Sequence, residues 1–188
     1  MKIKLNFQWQ WLLLTCCAFA ISLLLVEVGE RPDLGWREGL ICGVLVGCAQ
    51  SLILNQRLRQ TWRWVLVCAL SWCLMASMGW GAIGWFTPRT NLIPLRIFFG
   101  LLWGGLAGIV LGLGQALVLK TSISLPERWI KISMYSWAIG LAFGWTIGEI
   151  IYSFNHLFLS EVIGLAITWI VVALITGNRL VNLFRESV

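Results

Sequence analysis

Six apolar runs, 11–28, 36–54, 64–86, 95–119, 129–151 and 157–175, dominate the sequence, with joining segments only a few residues long. A run of about 18 or more apolar residues is long enough to cross the hydrocarbon core of a bilayer as a helix. Connectors such as GERPDLG, NQRLRQT, TPRTNLIP and KTSISLPE leave no room for a folded domain outside lipid. The expected fold is all-α: a polytopic bundle of six transmembrane helices forming a single domain over 1–188. Charged residues make up 12% of the chain, against roughly 25% in an ordinary soluble domain, so a soluble globular fold is excluded. MKIK ahead of the first run resembles the start of a signal peptide. The run is long, however, no A-x-A-like site follows it, and Glu27 stands where cleavage would fall, so a retained helix is expected.

Basic residues cluster at one end of the six spans. Lys2, Lys4, Arg57, Arg59, Arg63, Lys120, Arg128, Lys131, Arg179 and Arg185 share the side of the two termini, leaving Arg31, Arg37, Arg89 and Arg96 opposite. The positive-inside rule then makes both termini cytoplasmic, in a bacterial inner or thylakoid membrane. Most acids, Glu27, Glu30, Asp33, Glu38, Glu149 and Glu161, fall on the other side. The net charge of +6 is answered by anionic lipid headgroups, so no nucleic-acid partner is implied. All six cysteines, Cys16, Cys17, Cys42, Cys48, Cys68 and Cys73, lie inside expected helices, and none forms C-x-x-C. They read as small packing residues, not as a disulfide framework or a metal site.

The sequence repeats itself. GVLVGCAQSLIL at 43–54 returns as GIVLGLGQALVL at 108–119, and the same ungapped register of 65 residues carries Trp64 onto Trp129, SW at 71–72 onto 136–137 and GW at 79–80 onto 144–145. The repeating unit is a helical hairpin, 39–86 and then 104–151. Segments 8–28 and 157–177 read as a divided third unit: QWQW resembles TWRW, and Gly164, Thr168, Val172 and Thr176 keep four-residue spacing, with Thr176 in the glutamine's place. Three parallel hairpins would then surround a pseudo-threefold axis along the membrane normal, unlike the inverted repeats of many transporters.

At 100° per residue, positions i, i+4 and i+7 share a helix face. Gly39, Gly43, Gly47 and Gln50 form one stripe; Gly100, Gly104, Gly108, Gly112 and Gln115 form its twin; Ser136, Gly140, Gly144 and Gly148 form a third. In lipid, small-x-x-x-small stripes let helix backbones approach closely, and interhelical hydrogen bonds supply the glue. The expected arrangement sets the two hairpins side by side through these glycine seams. Each glutamine fastens a seam by bonding a neighbouring backbone, Ser71, Ser136 or the other glutamine, or alternatively lines a ligand or pigment site.

Other candidates are few. Glu149, near the outer end of the fifth span, is either a solvated interfacial carboxylate or a cation or proton site shared with Glu161 or His156. His156 is the one histidine. Trp9, Trp11, Trp62, Trp64 and Trp129 are expected in the inner aromatic belt and Trp36, Trp80 and Trp85 in the outer. Trp72, Trp103, Trp137 and Trp169 lie deeper, as packing or as an aromatic pocket. H-E-x-x-H and G-x-S-x-G are missing, and with one aspartate an aspartyl dyad is impossible. No catalytic residues and no metal site are assigned, and no cofactor is specified; an enzyme would have to use His156 with Glu149 or Glu161.

The two G-x-x-x-G-x-x-Q segments with their following W, SW and GW, and the ITG at 175–177, resemble a group of poorly characterised bacterial, notably cyanobacterial, multi-pass membrane proteins built from G-x-x-x-G-x-x-Q-x-L-V-L hairpins. In many of those a tryptophan follows the glutamine, where this chain has Ser51 and Ala116. Size and topology are also similar to substrate-binding subunits of energy-coupling-factor vitamin transporters. The expected function is that of a non-enzymatic accessory, assembly or interaction subunit, with a membrane-protein partner or further copies of itself. The alternative is a small-molecule-binding, transport or pigment-binding component using Gln50, Gln115, Trp72, Trp137, Glu149 and His156.

Overall fold

The computed structural model describes residues 6–26, 28 and 34–186; Lys2, Lys4, Glu27, Glu30, Arg31 and Asp33 lie outside the described residues. Among these are six helices and no strand: α1 (Phe7–Ser22), α2 (Trp36–Leu54), α3 (Trp62–Ser77), α4 (Ile93–Leu119), α5 (Glu127–Asn155) and α6 (Leu159–Arg185). Each helix packs on the next, and α6 closes on α1. α2, α4, α5 and α6 are long and apolar enough to cross a membrane, whereas α1 and α3 are apolar but only 16 residues long. At 1.5 Å per residue that is about 24 Å, short of a ~30 Å hydrocarbon core.

The shortfall in α3 has a specific cause. Its apolar run continues to Phe86, but the helix stops at Ser77 and the chain turns back into the bundle. Gly84, at φ 106°, takes a conformation that side chains oppose. It lies against the rings of Trp137 and Trp169, where a methyl group would stand 3.2–3.4 Å from their carbons. Ala82, Ile83 and Trp85 are fully buried, so Trp85 belongs to the core and not to the outer belt. In lipid, non-helical backbone survives only when protein covers it and satisfies its polar groups. Trp169 donates to Gly84 O (3.1 Å), Trp145 donates to Phe86 O (3.2 Å), and Trp85 donates to Ser22 Oγ (2.6 Å). In the second hairpin α5 runs on through the matching positions to Asn155.

The glycine stripes lie elsewhere than expected. Those of α2 face α3: a methyl group at Gly43 would stand 2.7 Å from Cys68 O, at Gly39 2.7 Å from Trp72 O, and at Gly47 2.9 Å from Val65 Cα. Those of α4 face α5: a methyl group at Gly108 would stand 2.5 Å from Ser133 O, one at Gly112 would stand 2.9 Å from Ile130 Cα, and one at Gly104 would press on Trp137 O. They close each hairpin on itself instead of joining one hairpin to the other, because consecutive antiparallel helices offer the longest shared contact. α5 uses its own stripe against α6, with Gly140 on Val172, Gly144 on Thr168 and Gly164, and Gly148 on Glu161 and Ser160.

Two aromatic layers fill the bundle. One holds Trp72, Trp85, Trp137, Trp145 and Trp169; the other holds Trp11, Trp64 and Trp129 with Leu54, Leu119 and Leu180. α6 extends ten residues past the end of the sixth apolar run, since Leu180, Leu183 and Phe184 keep its inward face buried.

Seam contact predicts a position-specific cost. Gly108→Ala forces backbones apart and is expected to lose about 1–3 kcal/mol of stability. Gly105→Ala, whose methyl group meets nothing nearer than Met134 Cγ at 3.9 Å, should stay within about 1 kcal/mol of the parent. Denaturant titration in detergent of both variants checks the difference.

Candidate functional site

Two polar constellations are built into the bundle, one at each end. The one at the end where α1 starts, inner in the topology expected from the sequence, follows from two short motifs. QWQW and TWRW place tryptophans two residues apart, hence about 200° apart around a helix. One ring of each pair faces out, Trp9 at 55% and Trp62 at 58% exposure, and the other faces in, Trp11 at 1% and Trp64 at 0%. Trp129 is also buried. These three are core residues and not belt residues. A buried indole N–H needs an acceptor. Trp64 donates to Gln50 Oε1 (3.0 Å), Trp129 donates to Gln115 Oε1 (2.9 Å), and Trp11 donates to Thr176 Oγ1 (3.0 Å).

The amide nitrogens reach back to the preceding helix pair. Gln50 Nε2 donates to Thr15 Oγ1 (3.3 Å) and Gln115 Nε2 to Cys68 Sγ (3.4 Å), while Thr176 donates to Val172 O (2.6 Å). The glutamine partners are therefore an indole and a small side chain, in place of Ser71, Ser136 or the other glutamine. Ser136 bonds Ile132 O within its own helix. The signal was present in the sequence: each indole follows its glutamine by the same 14 residues. Trp11 lies 6.1 Å from Trp64, and Trp64 lies 6.2 Å from Trp129.

Above this ring Trp72, Trp137 and Trp169 pack on one another at 5.0–6.3 Å. Trp103 is not among them; it is half-buried beside Trp80, 5.8 Å away. Between the two layers lies a cavity of about 30 Å³, reached by Gln50, Gln115, Thr176, Ser133 and Cys68. That is room for a water molecule, not for a drug-sized ligand, which needs roughly 300–1,000 Å³.

The constellation at the opposite end, outer in the expected topology, centres on Arg96, at the start of α4. It is 2% exposed, and Glu149 of α5 and Glu161 of α6 are 6% and 7% exposed. Arg96 and Glu161 form a fork, Nη1 to Oε2 at 2.9 Å and Nη2 to Oε1 at 2.7 Å. Arg96 Nε donates to Thr90 O (2.6 Å), and Nη1 also donates to Trp145 O (3.2 Å). Glu149 Oε2 stands 2.7 Å from Arg96 Nη2 as an ion pair and accepts no hydrogen bond among the described residues. One guanidinium thus faces two carboxylates, out of water.

Glu149 is no solvated interfacial acid, because α5 continues six residues beyond it. The structure brings Glu149 and Glu161 together and adds Arg96, which the sequence offered only as one of four cations on the poorer side. His156 stands apart: it is exposed, caps α5 in the left-handed region (φ 55°), and packs on Tyr152. No group of three or more metal-ligating side chains exists among the described residues.

No protein-family model matches the chain, and comparison with the curated proteins and with solved structures finds no match either.

Two measurements follow. Trp129→Phe and Gln115→Leu should each cost about 1–2 kcal/mol by stranding a buried partner. Their double variant should cost less than the sum, a coupling that a double-mutant cycle reads directly. At the outer end, Arg96→Met leaves two carboxylates uncompensated and is expected to cost about 3–5 kcal/mol. Glu149→Gln, which keeps the Arg96–Glu161 fork and removes the surplus charge, should stay within about 1 kcal/mol of the parent; unfolding titrations of both variants test the ranking.

Proposed function

We propose that the chain is a non-enzymatic integral membrane protein that serves as an accessory, assembly or interaction subunit of a larger membrane complex. The observation that carries this reading is that the glutamine end of the bundle is packed to within a water-sized cavity and that its amides, indoles and Thr176 are bonded to one another. The amide oxygens that would bind a ligand or pigment already accept indole N–H groups, and the deep tryptophans stack instead of lining a pocket. What remains for recognition is the outer surface, apolar along helices such as α4, where Phe98, Leu101 and Leu102 are exposed.

All six helices cross the bilayer in this reading, α1 and α3 with help from the segments that follow them, and both termini are cytoplasmic. Three hairpins surround an axis: α2–α3, α4–α5 and the divided pair α6–α1. Supporting this are sets of equivalent residues that meet at the centre. Val46, Leu111 and Val172 line the cavity with Gln50, Gln115 and Thr176, and Leu54, Leu119 and Leu180 are all 0% exposed. In each set the members sit at four-residue steps along α2, α4 and α6. A second copy of the chain or a different membrane protein would complete the assembly.

Native mass spectrometry of protein extracted in mild detergent tests this proposal. A species heavier than the 21.2 kDa chain, with one partner at fixed stoichiometry, is expected. A lone chain at every mild condition overturns it.

The buried surplus carboxylate favours a second reading, a transport or small-molecule-binding component whose outer end holds a cation or proton. Glu149→Gln separates the two. Loss of the host's function from a variant that folds and assembles normally supports transport, and retention of function supports the structural role.

A further inference from the structure

A trough of about 590 Å³ opens between the N-terminal end of α5 and the C-terminal end of α6, at the end of the bundle that also carries the start of α1. Its lining is graded. Arg128 and Lys131 of α5 and Arg179 and Glu186 of α6 line it towards the end of the bundle, and Tyr135, Ile139 and Ile175 line it further towards the middle. The helices run antiparallel here, so the gradation is written in opposite directions: basic to apolar along α5, apolar to basic along α6. From Arg128 to Ile139 is 11 residues, about 16 Å of helix, which matches one leaflet of a ~30 Å hydrocarbon core.

We propose that this trough binds one anionic phospholipid, its phosphate between Lys131 and Arg179 and an acyl chain against Tyr135, Ile139 and Ile175. Charge selects the headgroup. Arg128 already pairs with Glu186 at 2.9 Å, both about half exposed. Lys131 and Arg179 have no carboxylate partner among the described residues, so the rim keeps two cations for a phosphate. Length selects a lipid over a free anion, since an inorganic phosphate leaves Tyr135, Ile139 and Ile175 uncovered. A second basic trough at the same end, by Leu58, Arg59, Arg63 and Val118, is smaller, about 290 Å³, and holds no aromatic or isoleucine ladder. It serves as the internal control. The inference goes beyond the accessory-subunit proposal and stands whether or not a protein partner exists.

The test titrates the full-length purified chain with phosphatidylglycerol and, separately, phosphatidylcholine of the same acyl chains, counting retained lipid by native mass spectrometry. One phosphatidylglycerol per chain should be held in preference to phosphatidylcholine. That preference should fall roughly fivefold for each charge removed, in Lys131→Gln and then in Lys131→Gln/Arg179→Gln, and should be unchanged in Arg59→Gln. All three side chains are exposed, so folding is not at stake. Ile139→Trp, which fills the trough and keeps the rim, should weaken both lipids.

Equal retention of the two lipids, an equal loss in Arg59→Gln, or full preference in the double variant overturns the proposal. Displacement of phosphatidylglycerol by millimolar inorganic phosphate does so as well, because it shows a headgroup site with no acyl seat.

Discussion

Lipid offers no partner to a buried N–H, and most of the internal architecture answers to that constraint. An indole brings a large apolar ring together with one donor, so each tryptophan turned inward needs an acceptor at a fixed distance. Gln50, Gln115 and Thr176 supply three of these, while Gly84 O, Phe86 O and Ser22 Oγ supply three more. The glycine seams are prerequisites for this network. Only when α2 lies in near backbone contact with α3, and α4 with α5, does a side chain as short as glutamine reach the indole of the next helix.

The same constraint explains why the two hairpins part company after their SW motifs. In α3 the helix ends and glycine-rich backbone folds inward, and its free carbonyls become acceptors for Trp145 and Trp169 of α5 and α6. In α5 the helix continues and sets Glu149 in the position that Gly84 occupies in the first unit. The broken element and the charged one are thus complementary halves of one departure from symmetry, both at the outer end. The inner end keeps the repeat's pattern of indole on amide.

Much of this was legible in the sequence wherever local period carried it. Four-residue spacing marked the glycine stripes and put both glutamines on the same faces, and the apolar runs gave all six helices. The breakdowns have physical reasons. MGWGAIGWF is apolar throughout, and hydropathy cannot distinguish a helix from a loop that protein buries; three glycines within six residues were the available warning. The inward turn of Trp11, Trp64 and Trp129 was hidden because interfacial position and buried orientation are compatible along one helix end. Arg96 was counted only for topology, since its partner Glu161 is 65 residues away and no local pattern links them. Glu149 and Glu161 were singled out, but without the cation their pairing had no evident geometry.

The two ends differ in what stability alone requires. The inner ring is neutral, and each of its bonds satisfies a group that would otherwise be stranded, so packing accounts for it. The outer cluster is harder to justify on those grounds. A buried ion pair rarely outperforms well-packed apolar side chains, and here a second carboxylate, whose Oε2 accepts no hydrogen bond among the described residues, is added to a pair already satisfied by the Arg96–Glu161 fork. Arg96 does tie α4 to the Trp145 carbonyl of α5 and to the first turn of α6, which gives the fork a structural role. Glu149 adds a second buried ion pair to the same guanidinium, 2.7 Å from Arg96 Nη2, without joining α4 to a further helix. A second carboxylate on a guanidinium already forked by the first is the side chain of this bundle most in need of a functional explanation.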